Sequence, residues 1–185
     1  MNPRARVFLV LLALAVIGLA AQAAPRWLRQ IQANAGSRGP YRDVTVTQAE
    51  ANAYWSGEGA RLLPKGLSQV AMSAAPGELS GRARVDFDQI EAQHGGNPLL
   101  WMFRGAHLIA VRARVDSAVA PAARLTVTEV RVDGQVIPNL LVDAALAAFV
   151  QPKHPEIGRQ FAVALPEHVT SVTVGAGTVT LHYPH

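Results

Sequence analysis

The chain has 185 residues, 50% of them hydrophobic and 16% charged, a balance that excludes a disordered polypeptide. Its formal charge is +4, yet residues 24–185 hold 15 basic and 13 acidic side chains, too even a balance for a nucleic-acid-binding surface. There is no Cys, which excludes disulfides and thiolate metal sites and leaves the fold to rest on its core.

Arg4 and Arg6 precede an uncharged apolar run from Val7 to Ala21, and Ala21-Gln22-Ala23 has the small-x-small pattern of a signal-peptidase site. The run is shorter than the roughly 20 residues of a usual membrane-spanning helix. Residues 1–23 therefore read as a signal peptide. The alternative is an uncleaved amino-terminal membrane anchor, because Arg26, Trp27 and Arg29 have the composition of an interfacial belt. Either reading places the protein outside the cytoplasm, in the periplasm or beyond. Residues 24–43 contain Pro25, Gly36, Gly39 and Pro40 and read as a short amphipathic or irregular lead-in followed by a linker. Residues 44–185 form the expected single α+β domain.

Thr47-Gln48-Ala49-Glu50 fits a capping box and predicts a helix over about 46–56, ended by Gly57. A hairpin follows. Val70, Met72 and Ala74 share one face, Ala75-Pro76-Gly77 turns the chain, and Leu79, Gly81, Ala83, Val85 and Phe87 alternate with Ser80, Arg82, Arg84 and Asp86. A second hairpin spans His107 to Asp133. Its return strand changes phase between Leu125/Val127 and Val130/Val132, which predicts a bulge near Thr128-Glu129. Pro138 opens an apolar helix over about 138–150, and three short strands close the chain, with Gly175-Ala176-Gly177 as the last turn. Leu63-Pro64-Lys65-Gly66-Leu67-Ser68-Gln69-Val70 is echoed by Leu165-Pro166-Glu167-His168-Val169-Thr170-Ser171-Val172, in each case where a strand enters a hairpin. These elements predict a strongly bent antiparallel sheet of about six or seven strands wrapped around the 138–150 helix, with the 46–56 helix packed nearby.

The helix Thr47-Gln48-Ala49-Glu50-Ala51-Asn52-Ala53-Tyr54, the Val130-to-Pro138 segment with its following helix, and Leu165-Pro166 before a final hairpin resemble a group of small exported bacterial proteins. Several of these look like single-unit relatives of the tubular lipid-binding superfamily. The resemblance covers about residues 44–183. It implies a bent sheet around a helix and an apolar groove for lipid, and it supplies no catalytic residue to carry over.

Chemistry-bearing motifs are sparse. The six His are dispersed, without His-Glu-x-x-His or His-x-His spacing, so no metal site is expected. No Gly-x-Ser-x-Gly elbow occurs, and Asp86, Asp88, Glu91 and His94 sit where turn capping explains them. A non-enzymatic protein without a cofactor is the expectation. Groove candidates are the inward positions Val85, Ile109, Val111, Val127, Leu141, Ala145 and Phe149. Leu99, Leu100, Trp101, Met102 and Phe103 form the strongest apolar cluster after the start and read either as a core plug or as a lid in contact with a membrane. Arg82, Arg84, Arg112 and Arg114 share an outward strand phase. They read as solubilising charges or as a site for anionic lipid headgroups. The expected partner is a lipid or another apolar small molecule, with a filled-core interaction module of the envelope as the alternative.

Overall fold

The computed structural model describes residues 25–36, 39–89, 104–147, 151 and 157–184. The signal or anchor segment, Phe149 and the Leu99–Phe103 cluster lie outside the described residues.

The first described element, α1 (Arg26–Ala35), buries Trp27, Leu28, Ile31 and Asn34 on one face. These positions fall at helical spacing, so of the two forms expected for the lead-in the amphipathic one is present, as a helix packed into the core. Buried Asn34 donates from Nδ2 to the Arg42 carbonyl at 2.8 Å and tethers the chain as it approaches the sheet. The four-residue strand β1 (Val44–Thr47) leads directly into α2 (Gln48–Ser56). Thr47 Oγ1 accepts the Glu50 amide at 3.2 Å, and the Glu50 carboxylate accepts the Thr47 amide at 2.9 Å. The capping box expected from the sequence is present.

A 3-10 turn (Glu58–Leu62) leads to β2 (Leu67–Ala75) and β3 (Glu78–Asp86), then β4 (Ala106–Val119), β5 (Ala122–Val132) and the two-residue β6 (Gln135–Val136). The short helix α3 (Asn139–Ala145), β7 (Gln160–Ala164), β8 (Ser171–Gly175) and β9 (Thr178–His182) complete the chain. All nine strands belong to one antiparallel sheet that does not close. Its main order is β1-β9-β8-β4-β3-β2, and β5 pairs with the other edge of β4 and carries β6 and β7. Between Arg112↔Glu129 and Ala113↔Val127 the register slips past Thr128. This is the expected bulge, and it returns Val130 and Val132 to the face of Val127.

The fourteen-residue β4 organises the molecule. Its first part pairs with β3 through Glu78↔Arg114, and its end reaches β8 at Val119↔Ser171. The tips of the β2–β3 and β8–β9 hairpins therefore meet along it. They exchange backbone bonds: Gly77 donates to the Val174 carbonyl at 3.2 Å and Gly177 to the Ala74 carbonyl at 2.8 Å. The sequence echo has the same local geometry in both copies. Leu67 N–H bonds the Pro64 carbonyl at 3.0 Å and Val169 N–H the Pro166 carbonyl at 3.1 Å, with Gly66 and His168 both at positive φ.

Among the described residues the sheet does not wrap around the expected 138–150 helix. Leu140 and Leu141 of α3 are 79% and 54% exposed, and only Val142 is buried. The sheet instead packs its apolar face against α1 and α2, and it has nine strands rather than six or seven. The described helical turn Asn139–Ala145 turns Leu140 and Leu141 to solvent and offers only Val142 to the core.

Candidate functional site

Three apolar clusters hold the molecule. One joins Trp27, Leu28 and Ile31 of α1 to Val44, Val169, Leu181 and Tyr183. A second lies over β4, β5 and β7 around Ala113, Leu125, Val127 and Phe161. The third packs Trp55 of α2 on Val70 and Ala83. The three meet without merging, and the space between them is an apolar cavity of about 120 Å³. Trp27 and Ile31 form one wall, Trp55 and Met72 another, and Leu125 and Leu181 are among the sheet residues facing them. Ala51, Ala74, Ala118 and Ala123 also line it. Small side chains at these positions leave the volume unfilled. Thr47, Gln48, Ser73 and Thr178 supply its polar lining where β1 becomes α2 beside the hairpin tips.

The volume decides what such a site holds. An engineered apolar cavity of roughly 150 Å³ remains dry and takes up benzene, so this one suits a single ring or a short alkyl segment.

The residues expected to line a groove do not line this cavity. Val85, Ile109, Val111 and Val127 do share the apolar face of the sheet: Ala83 opposes Ile109, Gly81 opposes Val111, and Ala113 opposes Val127. Val85 and Val127 are buried there as packed core. Leu141 and Ala145 are exposed rather than inward. The cavity lies with the two amino-terminal helices. Sequence reasoning missed α1 as a wall because Pro25 and the Gly and Pro residues after it imply a linker. The spacing of Trp27, Leu28 and Ile31 was the available signal.

Arg82, Arg84, Arg112 and Arg114 do lie on one face of the paired strands β3 and β4. Their electrostatics differ. Arg112 pairs with Glu78 at 3.2 Å and Arg114 with Asp116 at 2.7 Å. Hydrogen bonds from Thr126 and then Arg114 hold the Asp116 carboxyl below the usual carboxylate range. Arg82 and Arg84 have no ion pair among the described residues. A shallow polar groove of about 370 Å³ runs past Arg82, Arg112, Glu129 and Arg131 to Asn52.

Two His–Asp pairs were not legible in the sequence, since their partners are 26 and 139 residues apart. His107 Nδ1 lies 2.6 Å from Asp133 Oδ2, and its Nε2 lies 2.9 Å from the Arg104 carbonyl. His182 Nδ1 lies 2.7 Å from Asp43 Oδ2, with Nε2 2.9 Å from Thr173 Oγ1. Asp43 also accepts the Tyr183 amide at 3.0 Å. This chain of bonds links the approach to β1 with β9 and β8 on a hydroxyl-rich outer face. Among the described residues no group of three His, Asp or Glu side chains is placed to hold a metal ion, and no helix is long and apolar enough to cross a membrane.

The fold and site together define an α+β protein with one open antiparallel sheet and an apolar cavity beneath two amino-terminal helices. Comparison of the chain with protein-family models, with curated proteins and with solved structures finds no match.

Proposed function

We propose that this is an exported, envelope-associated, non-enzymatic protein that binds an apolar ligand, most naturally a lipid or part of one. The observation that carries the reading is the 120 Å³ cavity at the junction of the three core clusters. A lining of Val, Leu, Met, Trp and Ala side chains recognises hydrocarbon by burial, at about 25 cal/mol per Å² of apolar surface removed from water. The signal-like start supports an extracytoplasmic setting, where lipid is the abundant apolar molecule. The resemblance of the Thr47–Tyr54 helix to exported proteins of lipid-binding type points the same way. Arg82 and Arg84 provide cations for an anionic headgroup at a membrane surface.

A second reading is an interaction module of the envelope. The exposed apolar side chains of Val136, Leu140 and Leu141 favour it. One experiment separates the two. The protein is purified from its own envelope, weighed by native mass spectrometry, and extracted with organic solvent. Ligand binding predicts a co-purifying apolar molecule at fixed stoichiometry. The Ala51→Leu variant, which fills the cavity from α2, should lose that molecule while gaining on the order of 1 kcal/mol in stability. A ligand-free mass for the native protein overturns the first reading and favours the second.

A further inference from the structure

An open antiparallel sheet has edges, and this fold treats its edges differently. At β2 the Asn52 side chain bonds both backbone groups of Met72. Gln48 Oε1 accepts the Ala74 amide at 3.4 Å, and the Gly177 amide donates to the Ala74 carbonyl at 2.8 Å. That edge offers little to an incoming strand. At the other side of the sheet β7 pairs with β5 alone. Val127 N–H donates to the Arg159 carbonyl at 2.8 Å, and Leu165 N–H to the Pro121 carbonyl at 3.0 Å. These two bonds fix the alternation between them. Phe161 and Val163 direct their backbone groups at β5, opposite Leu125 and Ala123, so Gln160, Ala162 and Ala164 turn their amides and carbonyls away from it. Among the described residues no hydrogen bond satisfies those groups, and the three side chains are exposed.

The chemistry of the edge identifies its partner. Gln160-Phe161-Ala162-Val163-Ala164 contains no charged residue and no Pro, the residues that ordinarily guard an edge strand. We propose that β7 pairs antiparallel with β7 of a second copy of this chain, about a two-fold axis through Ala162. The register is self-complementary. Ala162 faces the partner's Ala162 and Gln160 faces the partner's Ala164, so three residue pairs exchange six backbone hydrogen bonds. The outer side chains at the join are small or neutral, and on the apolar face Phe161 meets the partner's Val163. Like charges stay apart. Arg159 already pairs with Asp143 at 2.7 Å, and the two copies of Arg159 lie six residues apart along the join, about 20 Å. Arg124, opposite Ala162 on β5, is three strand spacings from its counterpart, about 14 Å. Both separations exceed the screening length of about 8 Å at physiological ionic strength. A charged peptide strand would find no counter-charge on β7, whereas a second copy presents the same neutral strand.

The lack of Cys in the chain makes the pairing directly testable. Directly opposed residues of this kind stand about 5.5 Å apart at Cα, within the span of a disulfide. The two Ala164 positions are offset by four residues, about 13 Å, and cannot be bridged. On mild oxidation of protein purified from its own envelope, Ala162→Cys should therefore form a disulfide-linked dimer roughly tenfold faster than Ala164→Cys. Sedimentation equilibrium of the unsubstituted protein should show a reversible monomer–dimer equilibrium. Ala162→Lys puts two ammonium groups at the axis on an exposed position, and it should shift that equilibrium to monomer with the circular dichroism melt unchanged. If Ala162→Lys does not fold, the two cysteine variants decide alone. Equal cross-linking at the two positions, or a folded Ala162→Lys protein that stays dimeric, overturns the proposal by placing the contact elsewhere. A protein that is monomeric at every concentration and yields no Ala162→Cys dimer overturns it as well. Protection of the Ala162 amide from hydrogen exchange by a co-purifying foreign chain, in such a monomer, would assign the edge to a different partner.

Discussion

His107 is the residue whose surroundings most clearly set its charge. Both ring nitrogens face acceptors, the Asp133 carboxylate and the Arg104 carbonyl, so only the imidazolium supplies a proton to each. The Asp133 hydrogen bond, then the Arg104 bond, raises the His107 pKa above its ordinary value. Asp133 is lowered by the same bond and then by the Leu108 amide. The signs differ for the two partners. The His107 contribution to stability is complete below the ordinary histidine value and is lost as pH rises through the raised one. The Asp133 contribution is present above the carboxylate range and is lost as pH falls through its lowered value. The pair is strongest between about pH 4 and pH 6.5. NMR titration of the His107 ring should give a midpoint above about 6.5, and Asp133→Asn should return it toward that value. A midpoint unchanged by the substitution would refute the pairing.

The four arginines illustrate how far residue-level reading reaches. Alternation in the sequence was enough to put them on one face, because side chains in a strand alternate with period two. It could not separate Arg82 and Arg84 from Arg112 and Arg114, whose carboxylate neighbours depend on register and rotamer. If the face meets anionic membranes, Arg82→Gln with Arg84→Gln should weaken vesicle partitioning by roughly 1 kcal/mol per cation. Arg112→Gln with Arg114→Gln should matter less, since those charges are already partly offset. Equal effects of the two double substitutions in a sedimentation assay would count against a specific role for Arg82 and Arg84.

At the scale of elements, α2 combines two functions that the sequence motif joins. Thr47 and Glu50 start the helix, and Asn52 closes the edge of the sheet. Asn52 Nδ2 donates to the Met72 carbonyl at 3.0 Å, and its Oδ1 accepts the Met72 amide at 2.7 Å. The side-chain amide thus mimics a neighbouring strand at the bulged edge strand β2, where Ser68 and Ala71 flank the irregularity. Asn52→Ala should destabilise the fold by about 1–3 kcal/mol, because it leaves both backbone groups of Met72 unpaired. Denaturant unfolding measures that loss, and analytical ultracentrifugation would reveal association through the freed edge. The capping box was readable from Thr47 and Glu50 alone because it is local. The role of Asn52 was not, since its partner is twenty residues away. The Thr128 bulge was readable for the opposite reason: the phase change is written into consecutive residues of one strand.

At the scale of the whole molecule, α1 determines whether a cavity exists. Trp27, Leu28 and Ile31 are each at most 6% exposed. Burial of side chains of this kind contributes about 1.5–3 kcal/mol apiece. Their joint loss is comparable to the net stability of an ordinary domain. A chain shortened to begin at Asp43 should therefore lose its cooperative thermal transition in circular dichroism, as Val44, Val169, Leu181 and Tyr183 become exposed together. Retention of a native-like melt would show that the helix is dispensable. The tip-to-tip exchange between Gly77, Val174, Gly177 and Ala74 unites the two hairpins into one sheet surface, and Thr178, beside the second tip, belongs to the cavity lining.

Local patterns by themselves determined the capped helix, the two long hairpins, the bulge, the outward arginines and the closing strands. In each case the information lies in residues a few positions apart. Tertiary structure alone decided which helices the sheet packs against. The 138–150 segment has the more apolar composition, yet its short described helix leaves Leu140 and Leu141 in solvent, while α1 fits between β9 and α2. Helix–sheet packing depends on complementary shape at contacts more than one hundred residues apart, as between Ile31 and Leu181. The cavity is a product of that packing: three clusters fill their own volumes and leave Trp27 facing the space between them.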